Sequence, residues 1–165
     1  MNWKLEAEQH AETEKPDESC GLVAIIKGEE KYWPCRNLSK QNFDYFILDP
    51  EDYADCEDQG EIIGLVHSHP QGSANPSDTD KAGCEFSGLE WHIYSLQMKN
   101  WHSFKPTGWK PDNLIGRQWA WGVQDCWSLI CDFYKEKLSI DIKKWPRPKT
   151  IKDFAENPYF EKVLL

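Results

Sequence analysis

Apolar and polar positions alternate in short blocks along the first two thirds of the chain, and these blocks predict a series of strands and helices. Aliphatic and β-branched runs bounded by Gly, Pro or acidic residues indicate strands. Stretches rich in Glu and Ala, or opening with proline and acids, indicate helices. Strands are predicted over 19–27, 31–35, 46–48, 62–69, 90–96 and 101–105, a tight turn over 28–30, and helices over 3–14, over 50–56 and from 76 onward. This mixed order indicates an α/β or α+β domain.

A different pattern begins after residue 105. The stretch 106–113 contains one glycine and two prolines and is predicted to be a linker. It separates a first domain, 1–105, from a second segment, 114–165. In the second segment, apolar residues recur at the spacing of an amphipathic helix. They are Trp127, Ile130, Cys131, Tyr134 and Leu138.

Composition and charge narrow the class of protein. Hydrophobic residues make up 39% and charged residues 28% of the chain, as in soluble globular proteins. The net charge of −9 argues against a nucleic-acid partner, since phosphate binding needs a basic face. The apolar run 21–26 is too short to span a bilayer, and the first residues do not resemble a secretion signal. Six cysteines without paired spacing indicate reduced thiols, with Cys56 and Cys84 predicted to be buried small apolar residues rather than zinc ligands.

The central stretch 62–80 combines an apolar strand with several potential metal ligands. Side chains two apart on a strand share a face, so His67 and His69 are expected to point into the same space. Asp80 would lie in the first turn of the following helix. Two imidazoles and one carboxylate are typical of catalytic zinc with an open fourth position. The alternatives are a helix-capping pair between Ser77 and Asp80 and two polar histidines on a half-exposed strand.

A second stretch, 16–21, places Glu18 just before another apolar strand. Glu18, His67-x-His69, Ser77 and Asp80 together resemble the motif of the JAMM/MPN+ metallopeptidases over roughly residues 1–105. The resemblance implies a mixed sheet flanked by helices. It also implies that the two histidines and the aspartate bind Zn²⁺, that Glu18 is the general acid/base for the catalytic water, and that Ser77 supports the tetrahedral intermediate.

The segment 121–126 resembles the start of the NlpC/P60 cysteine peptidases and ends in Asp125-Cys126. At a helix start the dipole favours a thiolate, so Cys126 is a candidate nucleophile. The alternative is a buried cysteine packing under Trp121. The family's histidine base has no counterpart, because none of the five histidines follows Cys126. The second segment is therefore interpreted as a partial NlpC/P60-like α+β segment, either truncated or reduced to a packing or docking element.

A JAMM domain followed by an NlpC/P60 segment resembles the tail assembly (tail tip) proteins of siphophages. The resemblance implies a zinc-dependent peptidase or isopeptidase that uses a metal-activated water, in phage tail assembly or cell-wall entry. Expected partners are a peptide or protein substrate, other tail proteins or peptidoglycan peptides, with synthesis in the host cytoplasm and a place at the virion tail tip. The alternatives are a peptidoglycan cysteine peptidase using Cys126 and a non-enzymatic tail component. The metal's identity beyond a zinc-type site and the natural substrate stay open.

Overall fold

The computed structural model describes residues 2–39, 46–110, 114–117 and 124–142. The chain divides into two compact units, Met1–Trp109 and Lys110–Leu165. Within the described residues, the first unit contains three helices and five strands. In chain order these are α1 (Trp3–Glu14), β1 (Cys20–Ile26), β2 (Glu29–Cys35), α2 (Pro50–Gln59), β3 (Glu61–His69), α3 (Asp78–Ser87), β4 (Glu90–Ser95) and β5 (Asn100–Phe104).

The strands of the first unit form one mixed sheet in the order β2-β1-β3-β4-β5. β1 pairs antiparallel with β2 and with β3, and β4 pairs antiparallel with β5. β3 and β4 are parallel, which requires a crossover, and α3 supplies it. The expected α+β class, with a mixed sheet flanked by helices, is confirmed.

Helices cover both faces of this sheet. Successive side chains of β1 point to opposite faces, so Leu22 and Val23 belong to different hydrophobic clusters. α1 packs on one face, where Ala7 meets Val23. On the other face, α2 and α3 contribute Cys56 and Cys84 to the cluster that contains Leu22. Both cysteines are buried, as the sequence predicted.

The strand predicted over 46–48 is wrong. The structure has a single β-bridge between Asn37 and Leu48 there. Asp49 already serves as the N-cap of α2, with its side chain accepting a hydrogen bond from the Glu51 N–H at 2.8 Å. The chain therefore turns into a helix before a ladder can develop. α2 itself continues to Gln59, beyond the predicted end at 56.

The turn predicted over 28–30 is displaced by one residue. Ile26 pairs with Glu29 across the β1–β2 hairpin, so the loop consists of Lys27 and Gly28. Both loop residues have positive φ, of 54° and 82°. Two-residue hairpin loops of this kind match the right-handed twist of the strands they join. Glu29 and Glu30 consequently belong to β2 rather than to the turn.

The second unit contains the predicted amphipathic helix as α4 (Cys126–Leu138). Asp125 is its N-cap and accepts a hydrogen bond from the Ser128 N–H at 2.9 Å. Arg117 forms an ion pair with Asp132 at 2.7 Å. Residues 118–123, which carry part of the NlpC/P60 resemblance, and residues 143–165 lie outside the described part of the chain. In the described residues, no helix has the length and apolar character needed to cross a membrane.

Candidate metal centre

Two imidazoles lie on one face of the central strand β3. Alternation along the strand directs His67 and His69 to the same side, and their Nε2 atoms are 3.2 Å apart. His67 is fully buried, with its ring centroid 4.8 Å from that of Phe46 and 5.5 Å from that of Trp91. His69 is only partly buried, at the end of the strand. The pair therefore extends from the buried core to the partly exposed end of strand β3.

The start of α3 brings a carboxylate to these imidazoles. Asp80 Oδ1 lies 3.1 Å from His67 Nε2, and Asp80 Oδ2 lies 3.5 Å from His69 Nε2. A capping box fixes the carboxylate: Ser77 donates to Oδ2 from both its N–H and its hydroxyl, each at 2.7 Å. The Asp80 N–H in turn donates a hydrogen bond to Ser77 Oγ at 3.1 Å. Oδ2 is thus shared between the cap and His69, whereas Oδ1 faces His67.

The three donor groups fit a tetrahedral zinc ion. Nitrogen or oxygen ligands about 2.0–2.1 Å from one tetrahedral zinc lie about 3.3 Å apart. The two Nε2 atoms are 3.2 Å apart, and the nearest Asp80 oxygens are Oδ1 at 3.1 Å from His67 and Oδ2 at 3.5 Å from His69. A metal would replace the direct contacts between these atoms without a rearrangement of the backbone that carries them. The donor set also leaves a fourth position for water or substrate.

The ring of His69 is oriented for such a role by its other nitrogen. Nδ1 lies 2.8 Å from the Ser73 carbonyl oxygen. Since a carbonyl oxygen only accepts, this contact places a proton on Nδ1 and leaves the lone pair of a neutral ring on Nε2. His67 is held differently: its buried Nδ1 has no hydrogen-bond partner in the described part of the chain, and packing against aromatic rings fixes the imidazole.

Charge complementarity accompanies this geometry. Burial raises the pKa of the Asp80 carboxyl, but charge and hydrogen bonds from the two imidazoles and the Ser77 hydroxyl outweigh burial and hold that pKa well below its usual range. Burial lowers the pKa of His69, but its bonds to Asp80 and to the Ser73 carbonyl outweigh burial and raise it. The carboxylate and the imidazoles thus carry complementary charge.

Glu18 reaches the same region through the register of two strands. Cys20 pairs with His67 in the antiparallel β1–β3 ladder, so continuing this register by two residues sets Glu18 beside His69. Ser68 fixes the end of the ladder: its Oγ accepts from the Ser19 N–H at 2.9 Å, and its own N–H donates to the Ser19 carbonyl at 3.1 Å. The Glu18 side chain is 4% exposed.

A cleft of about 540 Å³ adjoins the ligand group. Glu18, His69 and Ser77 all line it, together with Pro16, Pro70, Gln71 and Thr79. Glu18, His69 and Ser77, which come from distant parts of the sequence, therefore border one volume. Ser77 also has the capping role that the sequence offered as the alternative explanation, because its hydroxyl is the N-cap of α3.

Cys126 belongs to the second unit. It is exposed and begins α4, whereas the other five cysteines are buried. The alternative in which Cys126 is itself buried is therefore wrong. Trp121, its suggested packing partner, lies outside the described residues.

Several residues around the site were not predicted from the sequence. Asn37 donates from its side-chain amide to the Glu18 carbonyl at 2.9 Å. The Ser68 hydroxyl accepts from the N–H of Ser19, the residue after Glu18. The Ser73 carbonyl orients His69. None has a characteristic spacing from the ligands, because strand register and loop closure place them there. Only the position of Ser68, a small polar residue between two histidines, could have been noticed in the sequence.

Comparisons with known proteins give a family match within the first unit and a match to one relative that extends beyond it. Residues 3–107 match the family model Prok-JAB, described as prokaryotic homologs of the JAB domain. The chain is 41% identical over 133 residues to tail tip assembly protein K of Escherichia phage N15, covering 81% of this chain and 54% of that protein. It is 37% identical over 87 residues to tail tip assembly protein K of Escherichia phage lambda, covering 53% of this chain and 41% of that protein.

The chain thus spans about half the length of these two relatives. Among solved structures, the solution structure of a protein from Desulfitobacterium hafniense is 28% identical with a TM-score of 0.51. That match covers 61% of this chain and 76% of the other chain.

Proposed function

Because the chain belongs to the Prok-JAB family of prokaryotic JAB-domain homologs, we propose that its first unit is a zinc-dependent peptidase or isopeptidase. The observation that carries the proposal is the convergence of His67, His69 and Asp80 next to a cleft lined by Glu18. The donor atoms of the three candidate ligands all lie within 4.8 Å of one another. A site that only braced a loop would not need a buried carboxylate beside the open coordination position.

The roles of the residues follow from their positions. A bound zinc ion would supply Lewis acidity that lowers the pKa of water to about 7 and polarises a carbonyl. Glu18 accepts the proton of the attacking water and passes it to the leaving amine. Ser77, which also lines the cleft, donates to the carbonyl oxygen as negative charge develops there. His67, His69 and Asp80 hold the metal.

We place this activity in phage tail assembly, at the virion tail tip. The similarity to the tail tip assembly proteins of phages N15 and lambda supports this placement. Other tail proteins are then the expected partners, and the scissile bond lies in a tail protein, in a cell-wall peptide or in an isopeptide linkage. The negative net charge of the chain agrees with a protein or peptide partner rather than a nucleic acid.

The test separates metal binding from catalysis. Zinc content and amide cleavage are measured on a panel of tail-protein, cell-wall-peptide and isopeptide substrates for the wild type, Glu18→Gln, Asp80→Asn and Asp17→Asn. We expect Glu18→Gln to retain zinc and lose cleavage, Asp80→Asn to lose both, and Asp17→Asn, at the adjacent acid, to retain both. Full cleavage by Glu18→Gln would overturn the mechanism, and a wild type that takes up no zinc would favour a structural tail component.

Thiol chemistry at Cys126 is a second candidate function. Its support is the exposure of this cysteine at the first position of α4. The printed sequence offers no histidine after it to act as base. An alkylating probe at neutral pH tests the candidate: Cys126 should react faster than a free cysteine in a short peptide, and an equal rate would remove the support.

A further inference from the structure

In the loop that follows β3, both backbone polar groups of Gly72 are hydrogen-bonded to side chains. The Gly72 N–H donates to Gln97 Oε1 at 2.7 Å, and the Gly72 carbonyl accepts from Ser95 Oγ at 2.7 Å. Both partners come from the end of β4 and the turn that leads to β5. A third hydrogen bond, from the Leu96 N–H to the His69 carbonyl at 3.0 Å, restrains the backbone at the start of the same loop. The β4–β5 turn therefore fixes the backbone on both sides of Pro70–Gln71.

Ser95 is the buried centre of this arrangement. Its side chain is 0% exposed, and its Oγ also accepts from the Met98 N–H at 2.9 Å. A hydroxyl has one proton, and here that proton is used on the Gly72 carbonyl. Gly72 has a φ of +80°, which L side chains rarely adopt, so the bonds hold the loop in a conformation suited to glycine.

The residue after Gly72 supplies the carbonyl that orients His69. The peptide unit that joins Gly72 to Ser73 is planar, so fixing the Gly72 carbonyl fixes the position of the Ser73 Cα. The Ser73 carbonyl can then move only by rotation about the φ and ψ of that one residue. The Ser73 carbonyl accepts from His69 Nδ1 at 2.8 Å. A hydrogen bond on one ring nitrogen decides which nitrogen is free for a metal. The contacts thus run from the β4–β5 turn through Gly72 to the imidazole.

We propose that Ser95 and Gln97 are positioning residues for His69. By holding Gly72 from both sides they keep the Ser73 carbonyl in place, and this carbonyl keeps the His69 proton on Nδ1 and its lone pair on Nε2. The consequence for zinc affinity rests on the proposed function, whereas the consequence for the tautomer of His69 does not depend on it.

Two variants are placed at Gln97, the exposed member of the pair, so that folding is preserved. Gln97→Met keeps the length of the side chain and removes the acceptor, and Gln97→Glu keeps an acceptor at the same place. Ser95→Ala removes the buried donor. Met98→Gln, in the same turn, leaves intact the backbone N–H that this residue contributes and serves as the control.

Two readouts are taken on each full-length variant. The tautomer of His69 is read from ring ¹⁵N chemical shifts of the metal-free protein at alkaline pH, and zinc affinity from competition with a chromogenic chelator. We expect Gln97→Met and Ser95→Ala to lose the pure Nδ1–H tautomer and to bind zinc at least about tenfold more weakly. Gln97→Glu and Met98→Gln should keep the wild-type tautomer and stay within about twofold of its affinity.

An unchanged tautomer in Gln97→Met would overturn the positioning role, even if zinc affinity fell, because a general loss of stability could lower affinity alone. Should Ser95→Ala fail to fold, the exposed Gln97 still decides the question. If the wild type bound no zinc, the proposed function would fail, while the tautomer shift would still support or overturn the positioning role.

Discussion

Replacing Asp80 by asparagine changes one candidate ligand while keeping its shape. The substitution removes the negative charge that faces His67 and His69 at 3.1 and 3.5 Å. The asparagine side-chain oxygen can still accept the hydrogen bonds from Ser77 that form the cap of α3. The loss should therefore be concentrated in metal binding rather than in the helix.

The size of the effect follows from binding linkage. Zinc at 100 times its dissociation constant stabilises the folded protein by about 2.7 kcal/mol. For a domain of about 100 residues, 1 kcal/mol corresponds to roughly 4 °C, so Tm should rise by about 10 °C. Loss of a ligand that weakens affinity about 100-fold leaves roughly 0.4 kcal/mol at the same zinc concentration, or about 2 °C.

Thermal unfolding monitored by calorimetry, with zinc and with a chelator, measures both shifts. Asp78→Asn is the matched control, because Asp78 lies in the same helical turn and pairs with Lys81 at 2.9 Å. Its zinc-induced shift should equal that of the wild type. The reasoning is refuted if Asp78→Asn loses as much of the shift as Asp80→Asn, or if the wild type shows no shift with zinc.

Three further predictions concern stability. Ser77→Ala should lower the free energy of unfolding of the metal-free protein by about 1 kcal/mol in urea titrations, because the N-cap of α3 is lost. Leu22→Ala, at a fully buried position, should cost about 2–5 kcal/mol, whereas Leu5→Ala, 49% exposed, should stay within about 0.5 kcal/mol. Burial lowers the pKa of His10 despite the opposing effect of Glu14, so the unfolded chain binds more protons, and stability should fall as the pH drops through about 6.5. His10→Gln should reduce that pH dependence, part of which remains because burial also lowers the pKa of His92, and an unchanged slope would contradict the assignment.

The elements of the fold were predictable where local patterns decide them. The alternation of β3 predicted that His67 and His69 share a face, and their Nε2 atoms are indeed 3.2 Å apart. Strands β4 and β5 were predicted over 90–96 and 101–105, within one residue of their observed ends. The short apolar run at 46–48 gave a wrong strand, because tertiary contacts allow it only one bridge to Asn37.

The surroundings of the site depend on pairings that no local pattern specifies. Glu18 lies beside His69 only because β1 and β3 adopt one of many conceivable registers. Ser95 comes next to His69 only because β4 runs parallel to β3 after the α3 crossover. A motif thus identified candidate ligands, whereas the groups that orient them, such as Ser95 and Gln97, became visible only with the tertiary structure.

Ser77 has an observed structural role at this centre as well as the proposed catalytic one. Its hydroxyl accepts from the Asp80 N–H and donates its single proton to Asp80 Oδ2. To donate to a substrate oxygen, the hydroxyl must release that carboxylate oxygen, which the Ser77 N–H continues to hold at 2.7 Å. Negative charge on the substrate oxygen appears only as the reaction proceeds. The Ser77 hydroxyl therefore switches its hydrogen bond from Asp80 Oδ2 to the substrate oxygen at that stage and not before. The loss of stability in Ser77→Ala would then measure the contribution of the hydroxyl to capping α3. Any additional loss of turnover in protein that is still folded and zinc-loaded would measure its contribution to stabilising the substrate oxygen.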